Sequence, residues 1–242
     1  MSNSYYIAAC AFTERFPELS AKIQQYIKQR YDMQILRCCV PNHKVKEYEE
    51  KMMQNSFGKS WSELPHCTDF MPGDTVYSIC HNCSNIIEET RPGVNVLSIW
   101  ELILSDESFV FPDHSGMKAV IQDCWRANER VGEQNAVREL LKKMNIDFVE
   151  ADKNGIETDF CGASLYRAQP PRNPTIAPIR YVQKAKGKFI PHTPEQQQQI
   201  MKEHCEKYKR DTVICYCHYC LEGLRLGKAN AQHIAVILFP EK

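Results

Sequence analysis

At 242 residues the chain is long enough for one large domain or two modest ones, and it can bury an adequate core without disulfide staples. Lysine plus arginine total 30, as do aspartate plus glutamate, so no bulk charge is left to recruit nucleic acid or an anionic membrane surface. Residues 1–10 lack a basic segment followed by a long apolar run, and the most apolar stretch, 234–239, is too short to cross a bilayer; a cytoplasmic chain without direct membrane insertion is expected.

Residues 5–9 read as a short strand ending at Cys10, after which Leu19, Ile23, Tyr26 and Ile27 share one face of a helix. A second strand, 33–37, runs into Cys38 and Cys39 and is ended by Pro41. A charged helical stretch, 45–53, precedes an irregular segment, 56–73, whose Gly, Pro and Trp61 suggest a packed loop. Residues 75–79 make a third strand, Cys80 opens a helix that continues to about Glu89, and 94–98 is a fourth strand beyond Pro92 and Gly93. The loop 111–116 is the expected join, giving units 1–112 and 113–242.

The second unit replays the plan. A strand at 119–123 ends at Cys124, Ala136, Leu140, Leu141 and Met144 line one face of a helix, and 147–151 is the next strand. Cys161-Gly162 follows, then a proline-punctuated segment from 170 to 194 and a helix starting near Pro194. The strand 212–216, a helix opened by Cys217 and a final strand, 234–239, complete the chain. Strand alternating with helix at this spacing predicts an α/β fold: two tandem duplicated Rossmann-like units with mainly parallel sheets.

The repeat is plainest at the cysteines. Asp74 to Cys83 and Asp211 to Cys220 share the pattern D-T-V-x-x-x-C-H-x-C, with Cys80 and Cys217 137 positions apart. One C-x-x-C leaves zinc, redox and structural readings open, but two copies with the same lead-in imply a duplicated unit that gathers thiolates twice. Twelve cysteines without an export signal favour metal or redox chemistry over a disulfide framework. In each half they fall at the carboxyl ends of predicted strands or at the start of the next helix, the edge of a parallel sheet where ligands collect. Cys10, Cys38, Cys39, Cys80 and Cys83 can thus converge from three segments. A helix start further favours the thiolate, through unpaired N–H groups and the helix dipole. Adjacent side chains such as Cys38 and Cys39 point to opposite faces of an extended backbone, so either the chain turns there or the bound object is gripped from two sides. Tetrahedral zinc has no use for a fifth cysteine; a multi-iron cluster has.

The order Cys10, 27 residues, Cys38-Cys39, 40 residues, Cys80-x-x-Cys83, then Cys124, 36 residues, Cys161-Gly162, 55 residues, Cys217-x-x-Cys220 resembles the duplicated cysteine-rich (CCG) domain of the heterodisulfide reductase family, as found in its disulfide-reducing component. The resemblance covers essentially the whole chain, and the same domain occurs in iron-sulfur subunits of glycolate oxidase, of anaerobic glycerol-3-phosphate dehydrogenase and of lactate-utilisation systems. It implies a noncubane [4Fe-4S] cluster on each complete five-cysteine set and reduction of a small disulfide whose sulfurs attach to cluster iron. Electrons would come from a ferredoxin-like or flavoprotein partner. Carried over by residue, the first set is complete: Cys10, Cys38, Cys39, Cys80 and Cys83. In the second, Phe160 stands where a cysteine belongs, leaving Cys124, Cys161, Cys217 and Cys220 for an ordinary [4Fe-4S] cluster, a zinc ion or an empty site. Val40 stands where the family often carries glycine.

Cys215 can supply the missing thiolate or simply pack, and Ser78 at the equivalent position favours packing. Cys67 and Cys205 match no motif position and read as packing or surface thiols. His81 and His218 recur inside both C-H-x-C stretches, as candidate catalytic proton donors to a leaving thiol or as polar residues of a first helical turn. Arg37 and Arg126 flank ligand positions, where they offset cluster charge or face solvent. Trp61, Trp100 and Trp125 shield a cluster or fill the core. No nucleotide or flavin motif is present, so a partner must bring the electrons. The expected function is that of an iron-sulfur oxidoreductase subunit that reduces a disulfide or relays electrons. The alternatives are a zinc-stabilised interaction module without redox chemistry and a thiol sensor built on Cys38-Cys39.

Overall fold

The computed structural model describes residues 2–41, 45–52, 54, 57–208 and 211–240. Met1, Met53 and Ser56, which bound three of the stretches read from the sequence, lie outside the described residues.

Eight short strands form two all-parallel sheets. In the first, β1 (Ser4–Ile7), β2 (Gln34–Leu36), β3 (Thr75–Ser78) and β4 (Asn95–Ser98) lie in the order β2-β1-β3-β4. In the second, β5 (Lys118–Ile121), β6 (Asp147–Glu150), β7 (Thr212–Cys215) and β8 (Asn230–His233) repeat that order as β6-β5-β7-β8. Helices flank both sheets, as expected of two tandem Rossmann-like units. The chain divides into compact units Met1–Leu102 and Ile103–Lys242, the division falling inside the helix Ile99–Ser105, earlier in sequence than the loop 111–116.

Each unit has its own core. Tyr6, Ile7 and Val76 of the first sheet are fully buried, as are Ile23 and Ile27 of the helix Pro17–Arg30. Ile121, Val213 and Ile214 of the second are buried with Val137, Leu140 and Leu141 of the helix Val131–Lys143. Each such side chain is worth about 1.5–3 kcal/mol of burial, enough for a period of 3.6 or a run of β-branched residues to decide the local structure.

One expected strand is overturned. Residues 234–239 contain the helix Ile234–Leu238, and the edge strand is β8 just before it. The first unit has the same arrangement, β4 followed at once by the helix Ile99–Ser105. Ile234, Ala235, Ile237 and Leu238 are all buried, and an apolar run this short has no period that separates helix from strand. Within 56–73 a short helix, Gly58–Ser62, buries Trp61, and Cys10 begins the helix Cys10–Arg15. Among the described residues no helix is long and apolar enough to cross a membrane.

The strand order decides where a site can be. The chain leaves β1 towards β2 and returns on the other side to β3, so the loops after β1 and β3 part at the carboxyl edge of the sheet and open a crevice there. The same divergence follows β5 and β7 in the second unit.

Candidate metal centres

In the second unit Cys124 follows the end of β5, Cys161 precedes the turn Gly162–Tyr166, and Cys217 and Cys220 stand at the start of the helix His218–Leu226. All four are buried, and their sulfurs lie within 4.8 Å of one another. Cys124 Sγ is 3.3 Å from Cys161 Sγ, which is 3.9 Å from Cys217 Sγ. Thiolates about 2.3 Å from a tetrahedral ion are about 3.8 Å apart, so the four can hold one metal ion with little movement.

Backbone contacts bring the segments together. Gly162 has φ +61°, and a Cβ there would lie 2.0 Å from the Tyr219 carbonyl oxygen, so only glycine lets this turn rest on the helix that Cys217 and Cys220 open. The Trp125 N–H donates to the Phe160 carbonyl at 2.8 Å, tying the Cys124 loop to the Cys161 segment. Fully buried Asp123 accepts from Tyr216 Oη and from the Gly155 N–H, each at 2.7 Å, and forms an ion pair with Arg138 Nη2 at 2.7 Å. The ends of β5 and β7 are thereby clamped just before Cys124 and Cys217.

Arg126 is the cation of this site. Only 3% exposed, it donates through Nη1 to Cys161 Sγ and, at 3.0 Å, to Ser164 Oγ. Its guanidinium lies 4.8 Å from the Tyr219 ring centroid and 5.3 Å from that of Phe189. Burial opposes ionisation of Cys161, but hydrogen bonds with Cys124 and Cys220 and the Arg126 charge outweigh it and hold the thiol below its ordinary value. Burial, then the neighbouring sulfurs, push Cys124 and Cys220 well above theirs. One thiolate is thus favoured in advance, and a metal ion bound here would displace the remaining protons.

In the first unit Cys10, Cys38, Cys39, Cys80 and Cys83 are all buried. Cys10 hydrogen-bonds Cys38 and feels the charge of Cys39 and Cys80; its thiol is pushed well above the ordinary value by the Cys38 bond and then by burial. Cys83 hydrogen-bonds Cys39 and Cys80, and those bonds, with burial, raise it likewise. Within the vicinal pair Cys38 is thus the partner of Cys10 and Cys39 that of Cys83, with a bend in the backbone at Cys39. The Cys38 N–H donates to the His66 carbonyl at 2.8 Å, which holds the pair in place. Ala9, just before Cys10, has φ +60°, a conformation costly to a residue with a Cβ, at the point where the chain turns Cys10 into the site. Among the described residues, the four cysteines of the second unit form a group whose sulfurs all lie within 4.8 Å of one another; the five of the first are linked by hydrogen bonds from Cys10 to Cys38 and from Cys83 to Cys39 and Cys80.

Cys215 turns its thiol to the carbonyls of Cys217 and Gln232, at 3.8 and 3.7 Å, and stays outside the group of four. Ser78 does the same in the first unit, donating to the Cys80 carbonyl at 3.1 Å, so both residues brace the turn into the helix that follows. Cys205 packs against the helix His218–Leu226, its thiol 3.6 Å from the Leu224 carbonyl. Cys67 is not remote: it is half-buried, and burial with the nearby charge of Cys38 pushes its thiol up to about 11. His81 and His218 open their helices and are each 3% exposed, so neither faces solvent. Arg37 is also buried, paired with Glu49 at 2.8 Å and 5.0 Å from the Trp61 ring centroid. Trp61, Trp100 and Trp125 all lie in the cores.

Sequence reasoning missed Asp123 with Arg138 and Tyr216, and the stack of Phe160 on His204. Neither has a counterpart in the repeat: Ala9 stands where the second unit has Asp123, and Cys38 where it has Phe160. In comparisons with known proteins, no family model and no curated protein matches the chain.

Proposed function

We propose that the chain is a cytoplasmic iron-sulfur oxidoreductase subunit of the CCG-domain kind found in heterodisulfide reductase. In this reading the first unit holds a noncubane [4Fe-4S] cluster and the second a single thiolate-bound ion of the zinc class. The observation that carries it is the pair of buried cysteine sets at equivalent sheet edges, five in the first unit and, in the second, four whose sulfurs lie within 4.8 Å of one another. The donors fit these occupants. Five soft thiolates reaching inward from two sides suit a body of several irons. Four sulfurs within 4.8 Å suit one tetrahedral ion, whereas a four-iron cube, with an iron between each thiolate and its centre, requires a wider frame.

When bound, the cluster supplies single electrons and iron with affinity for sulfur. The chain's own residues do the rest. Burial of all five cysteines excludes water, and His81 supplies a proton to a departing thiolate, with His218 in the equivalent place of the second unit. A small disulfide takes up two electrons and two protons and leaves as two thiols. The electrons come from a ferredoxin-like or flavoprotein partner, since the chain carries no nucleotide or flavin motif of its own. The ion of the second unit does no redox work and holds three distant segments together.

Visible spectroscopy tests this reading. Anaerobically purified protein should show a broad absorbance that bleaches on reduction. A colourless protein containing zinc alone would extend the zinc reading, which the tight four favour for the second unit, to the whole chain.

A further inference from the structure

The second unit contains a cavity of about 230 Å³ beside the segment that carries Cys161. Phe160, Tyr166, Met201 and His204 wall it, and Lys188 and Asp159 bring opposite charges to it. Cavities for drug-sized ligands measure about 300–1,000 Å³, so this one takes something smaller.

His204 is held in one state there. Gln122 is oriented by its Nε2, which donates to the Asp123 carbonyl at 3.0 Å and to Thr158 Oγ1 at 3.4 Å, leaving Oε1 as acceptor. Tyr208 Oη donates to that oxygen, and His204 Nε2 lies 3.3 Å from it and 3.1 Å from Tyr208 Oη. Both neighbours present acceptor oxygens, so the imidazole proton sits on Nε2 and Nδ1 keeps its lone pair. Burial and the Lys207 charge hold the ring down to about 4, so it stays neutral at physiological pH. The cavity is thus lined by a neutral imidazole, a cation and a carboxylate. Asp159 is close enough to act on both His204 and Tyr166, and the Lys188 ammonium lies 5.3 Å from the Trp125 ring centroid.

We infer that this cavity binds a small zwitterion of the α-amino-acid class whose side chain carries an S–H or O–H. Its carboxylate pairs with Lys188, its ammonium with Asp159, and its side-chain proton is donated to His204 Nδ1. Opposite charges in one small cavity favour a zwitterion over a simple anion or cation, and the neutral imidazole selects a hydrogen-bond donor over an aliphatic side chain. The site goes beyond the redox reading and needs no particular metal.

Isothermal titration of the full chain, purified anaerobically, with L-serine, L-cysteine and L-alanine tests it. Serine and cysteine should bind, with alanine about tenfold weaker for want of one hydrogen bond. Tighter binding of cysteine than of serine would mark the ligand as a thiol, and the reverse as an alcohol. H204F keeps an aromatic ring against Phe160 and removes the acceptor, so it should bring serine to the alanine level. K188M, at a half-exposed position, should weaken all three alike and decides the matter if H204F fails to fold. Equal affinity for serine and alanine, unchanged binding in K188M, or no binding by the wild type overturns the inference. Iron and zinc assayed in the same sample report separately on the proposed function.

Discussion

Phe160 lies flat against His204, with ring centroids 4.0 Å apart and planes 7° from parallel, at the position where the first unit carries Cys38. An aromatic contact has replaced a thiol, and the ring now packs on the helix Pro194–Glu206. Phe160→Ala should therefore cost about 3–5 kcal/mol in urea unfolding while zinc content is retained, since none of the four sulfurs depends on the ring. A loss under about 1 kcal/mol would mean that the stack carries little of the packing.

The same histidine makes the second unit acid-sensitive. Its folded value of about 4 lies below the ordinary 6.5, so between the two the unfolded chain binds the proton and the folded chain does not. The stabilisation is complete above about pH 6.5, is lost as pH falls towards 4, and amounts to about 3 kcal/mol. Unfolding of wild type and H204F compared at several pH values should show their difference changing by that amount across this window. A constant difference would place the imidazole in water.

Arg126 should set metal affinity in the second unit. Four thiolates around a divalent ion leave two negative charges in a buried site, and the guanidinium on Cys161 offsets one of them. Arg126→Met should release zinc about 10–100-fold more readily to a chromophoric chelator, with Arg126→Lys intermediate. Equal retention by all three proteins would show that the charge is balanced elsewhere.

Asp123→Asn should be costly without touching a ligand. It leaves Arg138, whose side chain is 16% exposed, facing a neutral amide, and breaking such a pair costs about 3–5 kcal/mol. Thermal unfolding measures the loss, and Glu150, 2.6 Å from the same guanidinium, sets how much is recovered.

Much of this architecture could be read from residue pattern alone, because strand and helix periods are strong where one face is buried. The strand ends at Ile7, Ser78, Ile121 and Cys215 fall within two residues of where alternation and the cysteines place them. Residues 234–239 could not be read this way, since a short helix buried nearly all round has the composition of a strand. The nine motif cysteines were legible from spacing, but the approach of four of them to within 4.8 Å of one another was not. It depends on Gly162 against the Tyr219 carbonyl and on Arg126 on Cys161, contacts between segments far apart in the chain. Cys215 resembles a spare ligand because strand alternation puts it on the face of Cys217; its hydrogen bonds to two carbonyls turn the thiol elsewhere.

Metal and acid-labile sulfide analysis of anaerobically purified wild type, Cys39→Ser and Cys161→Ser bears most directly on the two unlike sites. The account predicts about four irons, about four sulfides and about one zinc per wild-type chain. Cys39→Ser should lose iron and sulfide and keep zinc, while Cys161→Ser should lose zinc and keep iron. Wild-type protein with zinc but neither iron nor sulfide would contradict the account.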